Sequence, residues 1–383
     1  MLGTFLVSAT RTPIGRAVKG SLRDCRPDDL VAGVIGQAVR ESGLDPELLD
    51  DHALGTAYPE GKQGANLARR AGLLAGLPLD IPGATVNRFC ASSLQAVRMA
   101  SHAISSGEAE AYLVSGVESV SQVGRTTRTE DRHPALTEGG IADVYIPMGL
   151  TAENVAERYR VSRDDMDALA LRSHRLAVEA IDSGRTARQF TPVVLPDGRT
   201  VSEDDGPRRD TTLAKLAALP PVFREQGSVT AGNSCPLNDG AAAAVLVSER
   251  LAEREGLAPR ARIVATAVSG VAPEIMGVGP TDAIRRVLRR ANLTIEDIDV
   301  VEFNEAFAAQ VLAVCRTVGI DIDHQLNPSG GAIALGHPFG MTGIRLLCSL
   351  LANLEHRGAK TGLATLCVGG GQGMALVLER LST

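Results

Sequence analysis

The sequence predicts an α/β fold in which helices cover a mixed sheet, because short strand-like apolar runs alternate with longer helix-like runs. Strand-like runs occupy residues 4–7 and 111–115, and helix-like runs occupy residues 28–41 and 91–105. With 383 residues, of which 44% are hydrophobic, the chain can bury a large core and is long enough for more than one domain.

The C-terminal part repeats this plan. Residues 262–265 predict a strand, 281–291 a helix and 300–303 a strand, and a glycine-rich block with one histidine then opens another helix. This order of elements is compatible with two similar halves. Residues 118–238, which lie between them, are richer in charges and turns, for example at 197–207, and contain few clean strands.

Charge and hydropathy narrow the possible partners. The formal net charge is -6, which argues against nucleic acid as the main partner, although local basic clusters can still bind phosphates. No apolar stretch reaches the roughly 18 residues that span a bilayer, so no membrane anchor is expected. Residues 1–4 do not resemble a secretory leader, and reduced cysteines in a cytoplasmic protein are therefore expected.

Cys90 stands where a strand-like run ends and a helix-like run begins. A helix N-terminus carries unsatisfied N–H groups and partial positive charge, which favour the thiolate that attacks carbonyl carbons. A buried structural thiol is the alternative, and it is the more common role for a single cysteine. That alternative better describes Cys25, Cys315 and Cys348, which have no histidine or glycine-rich partner nearby in the sequence.

Two further blocks also carry chemistry-bearing residues. His337 is surrounded by glycines in residues 327–343, which permits close backbone approach and predicts a histidine in a tight pocket. Cys367 leads into the glycine-rich turn 369–371 between two strand-like runs, and such a turn can direct N–H groups at an oxyanion.

A metal site, a disulfide framework and a dinucleotide-binding site agree less well with these residues. No two cysteines have the close pairing typical of zinc ligands, so no metal is expected. A disulfide framework is typical of small secreted chains. A dinucleotide fingerprint requires a helix after the glycines, whereas residues 374–378 predict a strand.

The blocks around Cys90, His337 and Cys367, together with Asn304-Glu305-Ala306-Phe307, resemble the signature blocks of the thiolases. These enzymes cleave 3-ketoacyl-CoA or condense two acyl-CoA molecules. The resemblance extends over essentially the whole chain and includes residues 7–15, 148–156 and 238–242.

The resemblance implies the thiolase fold, with two similar mixed-sheet halves in a five-layered αβαβα core and an inserted loop domain. Residues 1–117 with 239–250 would form the N-terminal half, residues 118–238 the CoA-binding loop domain, and residues 251–383 the C-terminal half. It also implies a homodimer or homotetramer, with acyl-CoA and CoA as its small-molecule partners.

The resemblance further assigns roles. Cys90 would hold the acyl group and His337 would accept its proton, while Cys367 would move the proton at the α-carbon of acetyl-CoA. His337 with a water held by Asn304 would form one oxyanion site, and the N–H groups of Cys90 and Gly369 the other. CoA would be a co-substrate, with no permanently bound cofactor. The residues expected to contact CoA are Met148, Arg208, Arg209, Ser234, Cys235 and Phe307.

Three functions stay open at this point. Departures from acetoacetyl-forming relatives, Pro147 in place of a histidine and Cys235-Pro236 in place of Ser-Gly, favour a degradative 3-ketoacyl-CoA thiolase of fatty-acid β-oxidation. Phe339 and Met341 beside His337 resemble degradative members as well. The alternatives are a biosynthetic acetyl-CoA acetyltransferase and a thiolase-like carrier of acyl-CoA or lipid that cleaves nothing. For Arg208 and Arg209, a solvated surface pair is the alternative to phosphate binding.

Overall fold

A computed structural model describes residues 3–123 and 131–381. Its helices and strands follow one another in the order β1 (Thr4–Arg11), β2 (Gly15–Arg16), α1 (Pro27–Ser42), β3 (Asp51–Gly55), α2 (Leu67–Leu74), β4 (Ala84–Val86), α3 (Ser92–Ser106), β5 (Ala111–Ser119), α4 (Met148–Arg158), α5 (Arg163–Asp182), β6 (Val193–Val194), β7 (Thr200–Val201), α6 (Leu213–Ala217), β8 (Asn238–Ser248), α7 (Glu249–Arg254), β9 (Ala261–Gly270), α8 (Pro280–Ala291), β10 (Val300–Phe303), α9 (Ala308–Val318), α10 (Ala332–Leu335), α11 (Thr342–Arg357), β11 (Thr361–Val368) and β12 (Gln372–Arg380).

The strand pairing follows the same plan twice. In the first half, β3 runs parallel to β4 and β5, β5 is antiparallel to β8, and β8 is antiparallel to β1. In the second half, β10 runs parallel to β11, β11 is antiparallel to β12, and β12 is antiparallel to β9. The similar halves expected from the order of elements are thus seen in the topology.

The two half-sheets join at their edges. Strands β1 and β9 pair antiparallel over Thr4 to Leu6, which makes one hydrogen-bonded sheet in the order β10-β11-β12-β9-β1-β8-β5-β3-β4. The fold class was predicted correctly as mixed α/β, but the continuity across β1 and β9 was not. Pairing between residues more than 250 positions apart leaves no local sequence pattern.

Helices and sheets alternate in layers. One apolar cluster packs α1 and α2 against the outer face of the first half-sheet, and a second packs α8 and α9 against the outer face of the other. The third cluster lies between the half-sheets and contains α3 and α11, which pack against each other. Cys90 directly precedes α3, and His337 lies shortly before the start of α11. The central layer therefore positions the site.

The segment between β5 and β8 is mainly helical. It contains α4, α5, the short α6 and the two-stranded β6-β7 ribbon, in agreement with the expected scarcity of strands. Helix α4 packs against α9, which brings Met148 to the second half. Within the described residues, no helix is both long and apolar enough to cross a membrane.

His52 on β3 gives the fold an acid-sensitive point. The ring is buried between the carbonyl of Ala68 and the hydroxyl of Ser115, at 3.0 and 2.7 Å, and burial lowers its pKa from 6.5 to about 4. The unfolded chain therefore binds this proton more tightly. Its contribution to stability is complete above pH 6.5 and is lost as the pH falls toward 4.

We expect this histidine to cost the protein about 2 kcal/mol of unfolding free energy between pH 7 and pH 5. Urea unfolding of the wild type and of His52→Gln at both pH values measures it. The neutral glutamine variant should lose less stability on acidification by this amount. An equal loss in both proteins would show that His52 is not responsible.

Candidate active site

Cys90 lies on a tight turn between a strand and a helix. After β4 the chain enters the 3-10 turn Phe89–Ala91, and α3 starts directly behind it at Ser92. Phe89 has a φ of 44°, a strained value for a bulky residue, and its N–H donates to Asn87 Oδ1 at 2.8 Å. The expected strand-helix junction is therefore present, and Cys90 is only partly buried there.

Arg88 links this turn to the turn that follows Cys367. Its Nε donates to Gln95 Oε1 at 2.9 Å, and one terminal nitrogen donates to Gln372 Oε1 at 2.8 Å. Gln372 in turn donates to the carbonyl of Gly369 at 3.3 Å. This chain of contacts fixes the Cys90 turn relative to Gly369.

Both the backbone and the ring of His337 make contacts that fix its position. Its N–H donates to Asn238 Oδ1 at 2.9 Å, across a close approach that requires glycine at position 336. Gly336 has a φ of 110°, and a Cβ there would lie 2.7 Å from the Asn238 side chain. The edge of the ring packs against Phe339, with centroids 5.0 Å apart.

Thr342 determines which nitrogen of His337 carries the proton. The single hydroxyl proton of Thr342 donates to the carbonyl of Pro338 at 2.8 Å, and the same oxygen lies 2.7 Å from His337 Nδ1. Both contacts are satisfied only if Nδ1–H donates to the hydroxyl. Nε2 then carries the lone pair, which can act as a base.

Asn304 approaches that lone pair, with its Nδ2 3.3 Å from His337 Nε2. The orientation of the Asn304 amide is fixed by Arg345, which donates to Asn304 Oδ1 at 3.2 Å, because a guanidinium cannot accept a hydrogen bond. Arg345 also contacts Glu302 at 3.4 Å. All of these side chains are buried, and burial raises the pKa of Glu302 to about 7.

Asn304 does not cap the helix that follows it. The residue at the N-cap of α9 is Phe307, and Asn304 directs its side chain into the site. The sequence-based expectation was that Asn304 holds a water beside His337. In the structure its amide nitrogen faces the ring nitrogen directly.

Cys367 is the last residue but one of β11 and is buried near the other two thiols of the site. Burial raises its pKa well above the usual value of a thiol, and the neighbouring Cys90 and Cys235 act in the same direction. Cys367 is therefore protonated at neutral pH. The six cysteines, all within the described residues, form no disulfide.

An apolar cluster surrounds Cys367. It is formed by buried residues, including Phe307, and by the partly buried Met148 and Cys235. Gly369 adjoins this cluster, since a Cβ at this glycine would lie 3.6 Å from the Phe89 ring and 3.9 Å from Met148 Sδ. The structure thus gathers three of the expected CoA-contacting residues and Gly369 around Cys367.

The other residues expected to contact CoA have different partners. Ser234 forms a backbone bridge with Phe307, but its hydroxyl donates to the carbonyl of Thr230 at 2.6 Å. Arg209 forms a bidentate surface ion pair with Asp182 at 2.6 and 2.8 Å. The N–H of Arg208 donates to His174. These contacts favour the solvated surface interpretation for Arg209, which exposed ion pairs commonly have.

Four side chains that hold the site residues in place, directly or through one another, were not predicted from the sequence: Thr342, Arg345, Arg88 and Glu302. Only Thr342 carries a usable signal, because a hydroxyl five residues after His337 falls within the same turn. The other three act through contacts between distant parts of the chain.

We expect Thr342→Val to lower kcat about 10- to 100-fold, because the ring loses the partner that fixes its tautomer. Thr342→Ser keeps the hydroxyl and should retain activity. Comparing kcat, KM and the pH profile of cysteine acylation in the two variants measures the effect. Equal kcat in the valine and serine variants would contradict this role.

Comparison with known proteins agrees with this geometry. Residues 4–250 match the N-terminal domain of thiolase, and residues 257–380 match the C-terminal domain. The chain is 47% identical to the beta-ketoadipyl-CoA thiolase of Pseudomonas aeruginosa, over 98% of this chain and 99% of the relative.

Two solved structures share the fold over nearly their full length. The acetyl-CoA acetyltransferase of Bacillus anthracis has a TM-score of 0.92 and 42% identity, covering 100% of this chain and 99% of the other. Human mitochondrial 3-ketoacyl-CoA thiolase in complex with CoA has a TM-score of 0.91 and 37% identity, covering 99% and 98%. The chain belongs to the thiolase family and is an acyltransferase.

Proposed function

We propose that this protein is a degradative thiolase that cleaves 3-ketoacyl-CoA with free CoA to acetyl-CoA and a shortened acyl-CoA. The observation that carries the proposal is the closeness of two thiols in different environments, since Cys90 is partly accessible and acts on the pKa of Cys367, which is buried and protonated. His337 supports the proposal, because Thr342 orients its ring as a base. Two thiols in different environments can perform two different tasks.

Cys90 is the nucleophile of the proposed reaction. His337 Nε2 accepts the thiol proton, and the thiolate attacks the 3-keto carbon of the substrate. Collapse of the tetrahedral adduct breaks the C2–C3 bond and leaves the acyl group on Cys90 as a thioester. The electron pair of the broken bond forms the enolate of acetyl-CoA.

Cys367 supplies the proton that this enolate needs at its α-carbon. The protonated state that burial favours suits this task, because the thiol must arrive as an acid. The resulting Cys367 thiolate then takes the proton of the incoming CoA thiol. The CoA sulfur attacks the acyl-enzyme, and Cys90 leaves and recovers its proton from His337.

Two oxyanion sites accompany these steps. His337 and Asn304 would stabilise one oxyanion, since the Asn304 amide presents its N–H₂ on the side of His337 Nε2. The N–H groups of Cys90 and Gly369 would form the other, and the Arg88 contacts support their fixed separation. CoA binding by Met148, Cys235 and Phe307 is part of the same proposal, supported by their position around Cys367.

Phe339 and Pro147 favour cleavage of 3-ketoacyl-CoA over its synthesis, because at these positions the chain resembles degradative thiolases. Phe339 packs on the edge of the His337 ring, and Pro147 stands at the N-cap of α4. The similar proteins include a beta-ketoadipyl-CoA thiolase, a 3-ketoacyl-CoA thiolase and an acetyl-CoA acetyltransferase, which differ in the acyl group. The preference of the enzyme for different acyl groups is therefore the main property to measure.

A substrate panel tests the proposal. Purified protein with free CoA is mixed with 3-ketohexadecanoyl-CoA, 3-ketohexanoyl-CoA, acetoacetyl-CoA or 3-ketoadipyl-CoA, and loss of the enolate absorbance gives kcat/KM for each. We expect 3-ketohexadecanoyl-CoA or 3-ketohexanoyl-CoA to be preferred. Preference for acetoacetyl-CoA would favour the biosynthetic alternative, and preference for 3-ketoadipyl-CoA a role in aromatic degradation. No cleavage of any substrate would favour a carrier.

Self-association belongs to this proposal too. Strand β4 is the edge of the sheet, and exposed apolar side chains lie on the neighbouring elements at Leu74, Leu79 and Phe89. An open edge beside exposed apolar groups favours pairing with a second copy. Sedimentation velocity distinguishes a dimer or tetramer from a monomer.

A further inference from the structure

A second group of polar residues lies at the far end of α11. Two cavities of about 260 and 490 Å³ open there and share Arg188, Arg260 and Glu355 in their linings. Thirteen residues separate Thr342, beside His337, from Glu355, which is about 20 Å along a helix. This region is therefore remote from the cysteines of the active site.

Gln189 lines the smaller cavity and carries a buried donor. The residue is 4% exposed, and its Oε1 accepts from Arg11 Nε at 3.1 Å. Because the guanidinium only donates, this contact fixes the amide orientation. Nε2 is consequently turned away from Arg11, and it is buried without a partner among the described residues. A buried donor of this kind requires an acceptor.

Arg185 contributes a second unsatisfied donor. One of its terminal nitrogens donates to the carbonyl of Pro328 at 3.2 Å, but its buried Nε has no partner among the described residues. Arg185 and Gln189 both line the smaller cavity. Two residues with buried, unsatisfied donors therefore line the same cavity.

The charge of the lining is positive. Glu355 is neutralised by Arg260, whose Nε and Nη2 lie 3.1 and 2.8 Å from one carboxylate oxygen. Arg185 and Arg188 add positive charge at the smaller cavity, and Arg380 offsets Glu41 at the larger one. Positive clefts of this type concentrate anions.

We propose that this basic cavity, formed around Arg185, Arg188 and Gln189, binds an anionic ligand through a phosphoryl group. Arginine forks match the geometry of phosphate oxygens, and an amide N–H₂ adds a neutral donor. Inorganic phosphate and the phosphate of a nucleotide share this chemistry. The site is independent of the proposed thiolytic activity, since it uses none of the same residues.

Isothermal titration calorimetry with inorganic phosphate and with ADP tests the site. Arg188→Glu reverses a charge on an exposed side chain that lines both cavities, and Arg285→Glu is the matched control on the surface of α8. We expect at least one probe to bind the wild type and the control equally. Arg188→Glu should weaken that binding roughly tenfold or more.

The two probes also identify the source of the phosphoryl group. Tighter binding of ADP than of phosphate supports a nucleotide ligand, and binding of phosphate alone supports the free oxyanion. The proposal is overturned if neither probe binds, or if Arg188→Glu binds as the control does. Circular dichroism and thiolytic activity of both variants distinguish a loss of binding from a loss of fold.

Discussion

Cys90→Ala is expected to abolish the covalent acyl-enzyme and to lower the rate of thiolysis on the order of 10⁴-fold or more, because the proposed acyl carrier is removed. Cys90 is a partly accessible thiol just before the central helix α3, where the helix dipole favours an anion. Intact-protein mass spectrometry after incubation with acetyl-CoA measures the acyl adduct.

Cys25→Ala is a suitable control. Cys25 is buried in the outer layer with α1 and α2, and burial raises its pKa. The control should keep both the adduct and the turnover of the wild type. A normal acetyl adduct in Cys90→Ala would refute the assignment of Cys90 as nucleophile.

Cys367→Ala is expected to impair proton transfer while leaving acylation of Cys90 intact. The variant should still form the acyl-enzyme, but exchange of the α-protons of acetyl-CoA with deuterium should slow by about 10²- to 10⁴-fold, because the acid/base group is lost. Proton NMR of acetyl-CoA in deuterated buffer follows the exchange. Overall thiolysis should fall with it, since the enolate cannot be protonated.

Cys235→Ala gives the matched comparison for Cys367→Ala. Cys235 packs against the same apolar cluster and contributes to the raised pKa of Cys367. Proton exchange should persist in this variant, because Cys367 remains. Exchange at the wild-type rate in Cys367→Ala would show that another group moves the proton.

Local patterns predicted many of the elements. The strand expected at 300–303 is β10, and the helix expected at 281–291 is α8 within one residue. Both runs have a clear period and are bounded by turn residues, so local propensity and tertiary packing agree. The buried states of Cys315 and Cys348 were also expected, and burial raises the pKa of these thiols to about 12 and about 11.

The partners of the site residues could not be predicted in the same way. Arg345 orients Asn304 from 41 positions away, and Arg88 reaches Gln372 across 284 positions. Such contacts depend on how α3, α11 and the second half-sheet pack together. The spacing of residues along the sequence does not predict these long-range contacts.

The sequence by itself determined the α/β class, the resemblance to thiolases and the identity of the chemical groups, because these depend on residue type and local pattern. Tertiary structure alone decided the tautomer of His337, the protonated state of Cys367 and the edge pairing of β1 with β9. It also formed the basic cavity around Gln189. Each of these properties depends on burial or on a hydrogen bond between distant residues, and only the folded chain brings those residues together.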